Sequence, residues 1–263
     1  MGTPSEKIKK EVVVLIKKTG LELLKQFKSK GIKAKFKAKN EIVTQADLLA
    51  EKIILKKLKD LTPAWRILSE ESGDNHINSD YTWIVDPLDG TTNFYMGSPL
   101  FAVQMALVYK NEPILSLIYA PAIDEFYYAE KGKGAFFNNK KIMVGKRGLK
   151  QALLTYCHGS EQTAKKKAIK IYKSFKLNNY HIRLIGSAAI EFAWIANGNT
   201  DAYFSPGASP WDIIPGALLV QEAGGKVTDF SGKPWGLKSK TILASNAKID
   251  KQLLKYLKNI NVA

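Results

Sequence analysis

The sequence predicts a layered protein of mixed helix and sheet, α+β or α/β, and three observations predict it. Residues up to Leu61 carry two helical periodicities, residues 65 to 138 carry short β-type runs, and residues 151 to 257 alternate strand with helix. Helices in front, strands in the middle and alternation behind argue for stacked layers of helix and sheet, not for a bundle or a pure β-sandwich. Periodicity alone does not choose between the two classes.

Taken in order, residues 5 to 28 place Ile8, Val12, Leu15, Thr19, Leu23 and Phe27 on one helical face with lysines elsewhere. Gly31 lies just beyond that helix and suits its end. A lysine-rich connection leads through Ile42-Val43-Thr44 to a second helix, about Asp47 to Leu61, closed by Thr62-Pro63. Trp65 to Leu68 reads as a short strand ending in Ser69-Glu70-Glu71-Ser72, and residues 73 to 80 as a polar loop. Trp83 to Val85 reads as a buried strand. Pro87 has no N–H and disfavours helix at Asp86, so the strand is expected to stop there. Phe101 to Tyr109, Ile114 to Ala120, Glu125 to Ala129 and the run Gly132 to Asn138 are β-type, separated by turn residues. Strands are then expected at 151 to 157, His181 to Ile185, Ala202 to Phe204, Val227 and Ile242 to Ala244. Helices are expected at 161 to 176, Ser187 to Ala196, Trp211 to Ala223 and Asp250 to Leu257. No repeat, low-complexity tract or flexible linker interrupts the order.

Composition excludes several classes of function. The 263 residues suffice for one large domain or two halves, and an apolar fraction of 45% is ordinary for a globular chain. No apolar stretch approaches the ~20 residues that span a bilayer. The apolar run Val12 to Ile16 is short and has no small-residue cleavage site, so the N-terminus reads as an ordinary helix and not as a signal peptide. A single cysteine, Cys157, leaves no internal disulfide and no cysteine metal cluster, which fits a reducing cytoplasm. The net charge of +16 invites nucleic acid, but only Arg66, Arg147 and Arg183 are arginine and the lysines are scattered. A solvated lysine-rich surface is the expectation, with no nucleic-acid or membrane partner. Lysine and glutamate enrichment with few arginines also hints at a thermophilic source.

The chemistry gathers at Trp83-Ile84-Val85-Asp86-Pro87-Leu88-Asp89-Gly90-Thr91-Thr92-Asn93. Gly90 permits a tight turn, and Thr91 or Thr92 can cap a following helix. Two carboxylates and a set of free backbone N–H groups then share a small space. Hard divalent cations suit the first and a phosphate oxyanion the second. A bare D-x-x-D is more often a solvated Asx-turn. An EF-hand is excluded because the D-x-D-x-D-G spacing is missing. His76, His158 and His181 have no metal-ligand spacing, and Ser69, Ser72 and Ser160 lack a G-x-S-x-G elbow. Gly132-Lys133-Gly134 and Gly224-Gly225 are turns, since no G-x-G-x-x-G or P-loop string exists. Asp47 could serve simply as an N-cap. Glu71 and Glu222 read as structural or solvated, Trp211 as packing, and Cys157 as a small buried hydrophobe.

Four segments in fixed order carry a resemblance: Asp47 after Val43-Thr44; Ser69-Glu70-Glu71-Ser72; the central stretch; and Trp211-Asp212-Ile213-Ile214-Pro215-Gly216 followed by Glu222-Ala223-Gly224-Gly225. Together they resemble the inositol monophosphatase family, the magnesium-dependent, lithium-sensitive sugar-phosphate phosphatases, over nearly the whole chain. Ser69 stands where the family usually has glycine. The resemblance implies the five-layer αβαβα sandwich of the inositol monophosphatase / fructose-1,6-bisphosphatase type. It implies one phosphatase domain over 1–263 in two halves, about 1–145 with most metal ligands and about 146–263 with Asp212 and the substrate pocket. A homodimer is also implied.

Phosphate-monoester hydrolysis spreads negative charge over the phosphoryl and leaving oxygens. Two metals roughly 3.5–4 Å apart can serve the attacking and leaving sides, and magnesium accepts carboxylate and carbonyl oxygens without His or Cys. By resemblance, Glu70, Asp86 and the Leu88 carbonyl hold a first Mg²⁺. Asp86, Asp89 and Asp212 hold a second, and a third, weaker ion near Glu70 is implied for some members. Thr91 and Asp47 orient and deprotonate the water, and the N–H groups of Gly90 and Thr91 receive the phosphate, beside Thr92. The turn Arg183-Leu184-Ile185-Gly186-Ser187-Ala188-Ala189 resembles the family's substrate turn, with Gly186, Ser187 and Ala188 lining the sugar pocket. Inositol-specific members usually carry a glutamate where this chain has Ser205, which leaves room for a different or larger sugar phosphate. The implied reaction is hydrolysis of inositol 1-phosphate, with fructose-1,6-bisphosphatase or dual activity as the alternative and a nucleotide phosphatase acting on 3′-phosphoadenosine phosphate or NADP as the third.

Overall fold

The N-terminal helix α1 (Glu6–Phe27) starts where Ser5 accepts the Ile8 N–H at 3.3 Å and buries Val12, Leu15, Ile16, Thr19 and Leu23 along one stripe. Gly20 lies in that stripe because a Cβ there would sit 2.3 Å from the Tyr119 ring. These features come from a computed structural model that describes residues 3–29, 34–36, 42–207, 209–236 and 239–262; the helix stop expected at Gly31 lies outside them. Two short strands, β1 (Ala34–Phe36) and β2 (Ile42–Thr44), pair antiparallel and lead into α2 (Gln45–Leu61). This helix begins two residues before the expected Asp47. Its N-cap is Thr44, and Asp47 occupies the third helical position, closing a capping box.

Helices α1 and α2 cover one face of an eight-stranded sheet. Its strands are β3 (Arg66–Ser69), β4 (Gly73–Asp74), β5 (Tyr81–Asp89), β6 (Ala102–Tyr109), β7 (Glu112–Ala120), β8 (Glu125–Glu130), β9 (Gly134–Phe137) and β10 (Lys140–Ile142). They lie in the order β10-β9-β8-β7-β6-β5-β3-β4, and only β3 and β5 run parallel. The central strands read as nearly continuous apolar runs because both faces are covered. Trp83, Val85, Met105 and Leu117 pack toward α1 and α2, while Ile84, Ala106 and Val108 join Ile214 on the opposite face.

Strand β5 does not stop at Asp86 as the proline suggested. It continues to Asp89, pairing Asp86 with Gln104 and then Asp89 with Ala102, so three steps along β5 meet two along β6. The extra residue is a bulge that absorbs Pro87, which has no N–H for the ladder.

A second sheet of five strands follows: β11 (Leu153–Tyr156), β12 (His181–Arg183), β13 (Ala202–Ser205), β14 (Lys226–Thr228) and β15 (Ile242–Ser245), in the order β12-β11-β13-β15-β14. Helices α4 (Gln162–Leu177) and α7 (Asp250–Asn259) cover its outer face through Ile171, Phe175, Leu253 and Leu257. Between the sheets lie α5 (Ala188–Ala196) and α6 (Pro210–Glu222). They approach closely because residue 216 is glycine: a Cβ would lie 2.2 Å from the Phe192 ring. Ser116 on β7 donates to the Pro215 carbonyl at 2.6 Å, fixing α6 to the large sheet. The layers therefore stack as helix, sheet, helix, sheet, helix, the αβαβα order that the resemblance implied. No described helix is long and apolar enough to cross a membrane.

Candidate active site

Beyond the bulge the chain turns at Gly90, whose φ of +80° is left-handed. Glycine is also required by crowding, since a Cβ would stand 3.0 Å from the Leu100 carbonyl and 3.2 Å from Ser187 Cβ. The short helix α3 (Thr91–Tyr95) starts here with Gly90 itself as N-cap and no side-chain cap. The threonine cap expected from sequence is thus not made. The Thr91 hydroxyl instead lies 3.0 Å from both Asp47 Oδ1 and the Leu88 carbonyl, while Thr92 is exposed.

Three carboxylates from distant segments converge at the end of β5: oxygens of Asp86, Asp89 and Asp212 all lie within 4.8 Å of one another. Asp86 is buried and accepts from Leu88 N–H at 3.1 Å and from the Gln104 amide at 3.2 Å. Burial, followed by repulsion from Glu70, Asp89 and Asp212, holds its carboxyl well above the usual carboxylate range. Burial pushes Asp89 up to about 6, opposed by donors from the other sheet's helices. These donors are the Ser187 hydroxyl, Ala189 N–H at 3.1 Å and Ala188 N–H at 3.2 Å, so the first turn of α5 closes on Asp89. Asp212 occupies the first turn of α6, accepting from Ser209 N–H at 3.0 Å.

A carboxylate such as Asp86, buried among other acids that raise its pKa further, calls for a cation. An all-oxygen donor set fits a hard divalent ion such as magnesium and offers nothing to a thiolate- or imidazole-seeking metal. Glu70 joins from the end of β3: its N–H donates to the Val85 carbonyl at 3.1 Å, beside Asp86, and its charge acts on Asp86. Glu51 of α2 sets that segment, accepting from Ser69 Oγ at 2.5 Å, Ser72 N–H at 3.0 Å and Ser72 Oγ at 3.1 Å. Ser69, the departure from the family's glycine, is therefore a donor to Glu51.

Asp47 is buried and does two things at once. Its Oδ2 accepts from Thr44 N–H at 2.8 Å and Thr44 Oγ1 at 2.5 Å, completing the cap, while Oδ1 faces the Thr91 hydroxyl. Burial raises its pKa, and the Thr44 and Thr91 donors oppose the rise.

The turn at Ile185–Ser187 packs against the central stretch. Gly186 has φ +83°, and a Cβ there would lie 3.3 Å from the Asn93 amide. Asn93 donates to the Leu100 carbonyl at 2.7 Å and the Ile185 carbonyl at 2.9 Å, tying the two segments together. Ala188 is half-buried beside Asp89. Arg183 is exposed and donates to the Ile182 carbonyl at 3.0 Å. Ser205 is fully buried at the end of β13, its hydroxyl donating to the Gly207 carbonyl at 2.9 Å.

The three histidines are exposed, and Glu222 accepts from Gly132 N–H and Gly134 N–H, each at 2.8 Å, as a structural acid. Cys157 is half-buried just past β11, not within a strand, and burial with the nearby Glu191 pushes its thiol up to about 12. Sequence reading missed Gln104, Glu51, Glu191 and the part played by Asn93. Two had a signal: Gln104 is the only polar side chain in the run Ala102 to Val108, and Glu191 the only acid in the apolar run Ala188 to Ala196.

The model of the inositol monophosphatase family matches residues 5–261. The putative Nus factor SuhB of Neisseria meningitidis serogroup B is 40% identical over 230 residues, covering 86% of this chain and 88% of that protein. A fructose-1,6-bisphosphatase/inositol-1-monophosphatase of Thermotoga maritima is 36% identical over 220 residues, covering 84% of each. Among solved structures, the extragenic suppressor protein SuhB of Bartonella henselae superposes with a TM-score of 0.89 at 34% identity, covering 96% of this chain and 99% of that one.

Proposed function

The chain belongs to the inositol monophosphatase family, and on that premise we propose that it is a magnesium-dependent phosphomonoesterase that hydrolyses inositol 1-phosphate to inositol and phosphate. The observation that carries the reading is the convergence of Asp86, Asp89 and Asp212 within 4.8 Å. Glu70, Asp86 and the Leu88 carbonyl would hold one ion, and Asp86, Asp89 and Asp212 a second, with a weaker third near Glu70. Bound divalent ions supply Lewis acidity to the attacking and leaving oxygens.

The chain's own groups do the rest. Thr91 Oγ donates toward Asp47 Oδ1 and keeps its lone pairs for a water proton, which Asp47 draws off through the hydroxyl. The N–H groups of Gly90 and Thr91 take phosphate oxygens, and Thr92 stands beside them. Gly186, Ser187, Ala188 and Arg183 would border the sugar, and Ser205, fully buried here, would join them where the Phe204–Gly207 segment yields. The chain acts as one domain, 1–263, whose halves of about 1–145 and 146–263 meet at this site. A cytoplasmic homodimer from a thermophilic source, inhibited by lithium, completes the proposal.

Two observations favour a second reading, fructose-1,6-bisphosphate alone or beside inositol phosphate: Ser205 in place of the family's glutamate, and the double name of the Thermotoga maritima relative. A nucleotide phosphatase is the third. The relatives named Nus factor add a role of that kind beside catalysis. Phosphate release from inositol 1-phosphate, fructose 1,6-bisphosphate and 3′-phosphoadenosine phosphate, with magnesium and with EDTA, tests the three catalytic readings. No magnesium-dependent release from any of them would overturn the enzyme reading; the order of kcat/KM chooses the substrate.

A further inference from the structure

Glu191 is an acid that the reaction does not use. It stands in the first turn of α5, 1% exposed, and one oxygen accepts from Ile185 N–H at 3.1 Å. The other oxygen, Oε2, is buried without a hydrogen-bond partner. An acid that serves only the helix would sit at the surface, where the dipole and water both favour its charge. The cap is in any case made by Ser187, whose Oγ accepts from Ile190 N–H at 3.4 Å. Burying a carboxyl costs stability, so its one bond marks what it is for.

That bond holds Ile185. With Asn93 on the Ile185 carbonyl, both polar groups of this residue are fixed, one from α5 and one from α3. Two residues on, Ser187 and the Ala188 and Ala189 N–H groups grip Asp89. We propose that Glu191 is a positioning residue for the metal site: by accepting from Ile185 N–H it sets the Ile185–Ser187 turn, and through that turn the orientation of the Asp89 carboxylate. Burial also holds Glu191 well above the usual carboxylate range.

The inference rests on the phosphatase reading and is tested by magnesium titration calorimetry on the full chain, with thermal melting alongside. Glu191→Ala removes the acceptor, and Glu191→Leu removes it while filling the space; Glu191→Gln keeps an uncharged acceptor in place. The expected result is magnesium binding weakened about 10-fold or more in the Ala and Leu variants, the usual scale for groups that orient a ligand. Cooperative melting and wild-type affinity are expected for Gln. If Ala fails to fold, Leu decides alone. Wild-type magnesium affinity in Leu overturns the inference, and so does a Gln variant as weak as Leu. Absence of any magnesium binding in the wild type overturns the phosphatase reading and this inference with it.

Discussion

Asp86 is the residue on which the acidic cluster turns. It lies within reach of Asp89 and Asp212, feels the charge of Glu70, and has one oxygen on Gln104. Asp86→Asn removes the charge shared between both proposed ion positions while keeping the side chain's volume. The expected loss in kcat at saturating magnesium exceeds 10-fold, about 1.4 kcal/mol, with the melting temperature preserved or raised as repulsion falls. A variant retaining more than a tenth of wild-type turnover would remove Asp86 from a bridging role. Ser205 offers a second test. Ser205→Glu is expected to shift kcat/KM toward inositol 1-phosphate and against fructose 1,6-bisphosphate, since a carboxylate accepts ring hydroxyls at about 1.5–3 kcal/mol each and repels a second phosphate. Ser205 is fully buried, so its replacement needs the Phe204–Gly207 segment to yield. An unchanged ratio in a folded variant would place the residue outside the pocket.

At the scale of elements, the close pair α5 and α6 depends on Gly216. An added Cβ meets the Phe192 ring at 2.2 Å, and overpacking of this kind costs about 1–3 kcal/mol. Gly216→Ala is therefore expected to lower the melting temperature by roughly 2–4 °C per kcal/mol, read by calorimetry. An unchanged midpoint would show that the helices can part without loss. Elements with a strong period are legible in the sequence, as in α1 and the strand core Trp83 to Val85. What is not legible there depends on partners distant along the chain. The continuation of β5 past Pro87 exists because β6 tolerates a bulge opposite it. Helix α2 starts at Gln45 because Thr44, not Asp47, takes the cap. The acids Asp86, Asp89 and Asp212 can be read as candidates from their motifs, and the structure brings them together. Their supports, Gln104, Glu51 and Glu191, belong to no motif, and only the folded layers show what each one touches.

For the molecule as a whole, a net charge of +16 contrasts with the cluster of carboxylates at Asp86, Asp89 and Asp212. The cluster opposes folding when empty of cations, because buried carboxylates must either repel or bind protons. Magnesium is expected to raise the melting temperature. Binding to the folded state alone adds about 2.7 kcal/mol at a concentration 100 times Kd, on the order of 5 °C for a chain of this size. EDTA should reverse the rise, and Asp89→Asn should abolish most of it. A melting temperature indifferent to magnesium in the wild type would contradict the cation reading.

The grip of α5 on Asp89 has a consequence for how the chain comes apart. The Ala188 and Ala189 N–H groups of a helix against the five-stranded sheet find their acceptor on the last residue of a strand in the eight-stranded sheet. Neither amide can be shielded by its own helix, since the first turn has no internal partner to offer. Deuterium uptake at these two positions is thus a clock for separation of the sheets. While they stay slow the two layers are docked, and the moment they quicken, the pocket has opened along its seam, whether or not either sheet has begun to unfold.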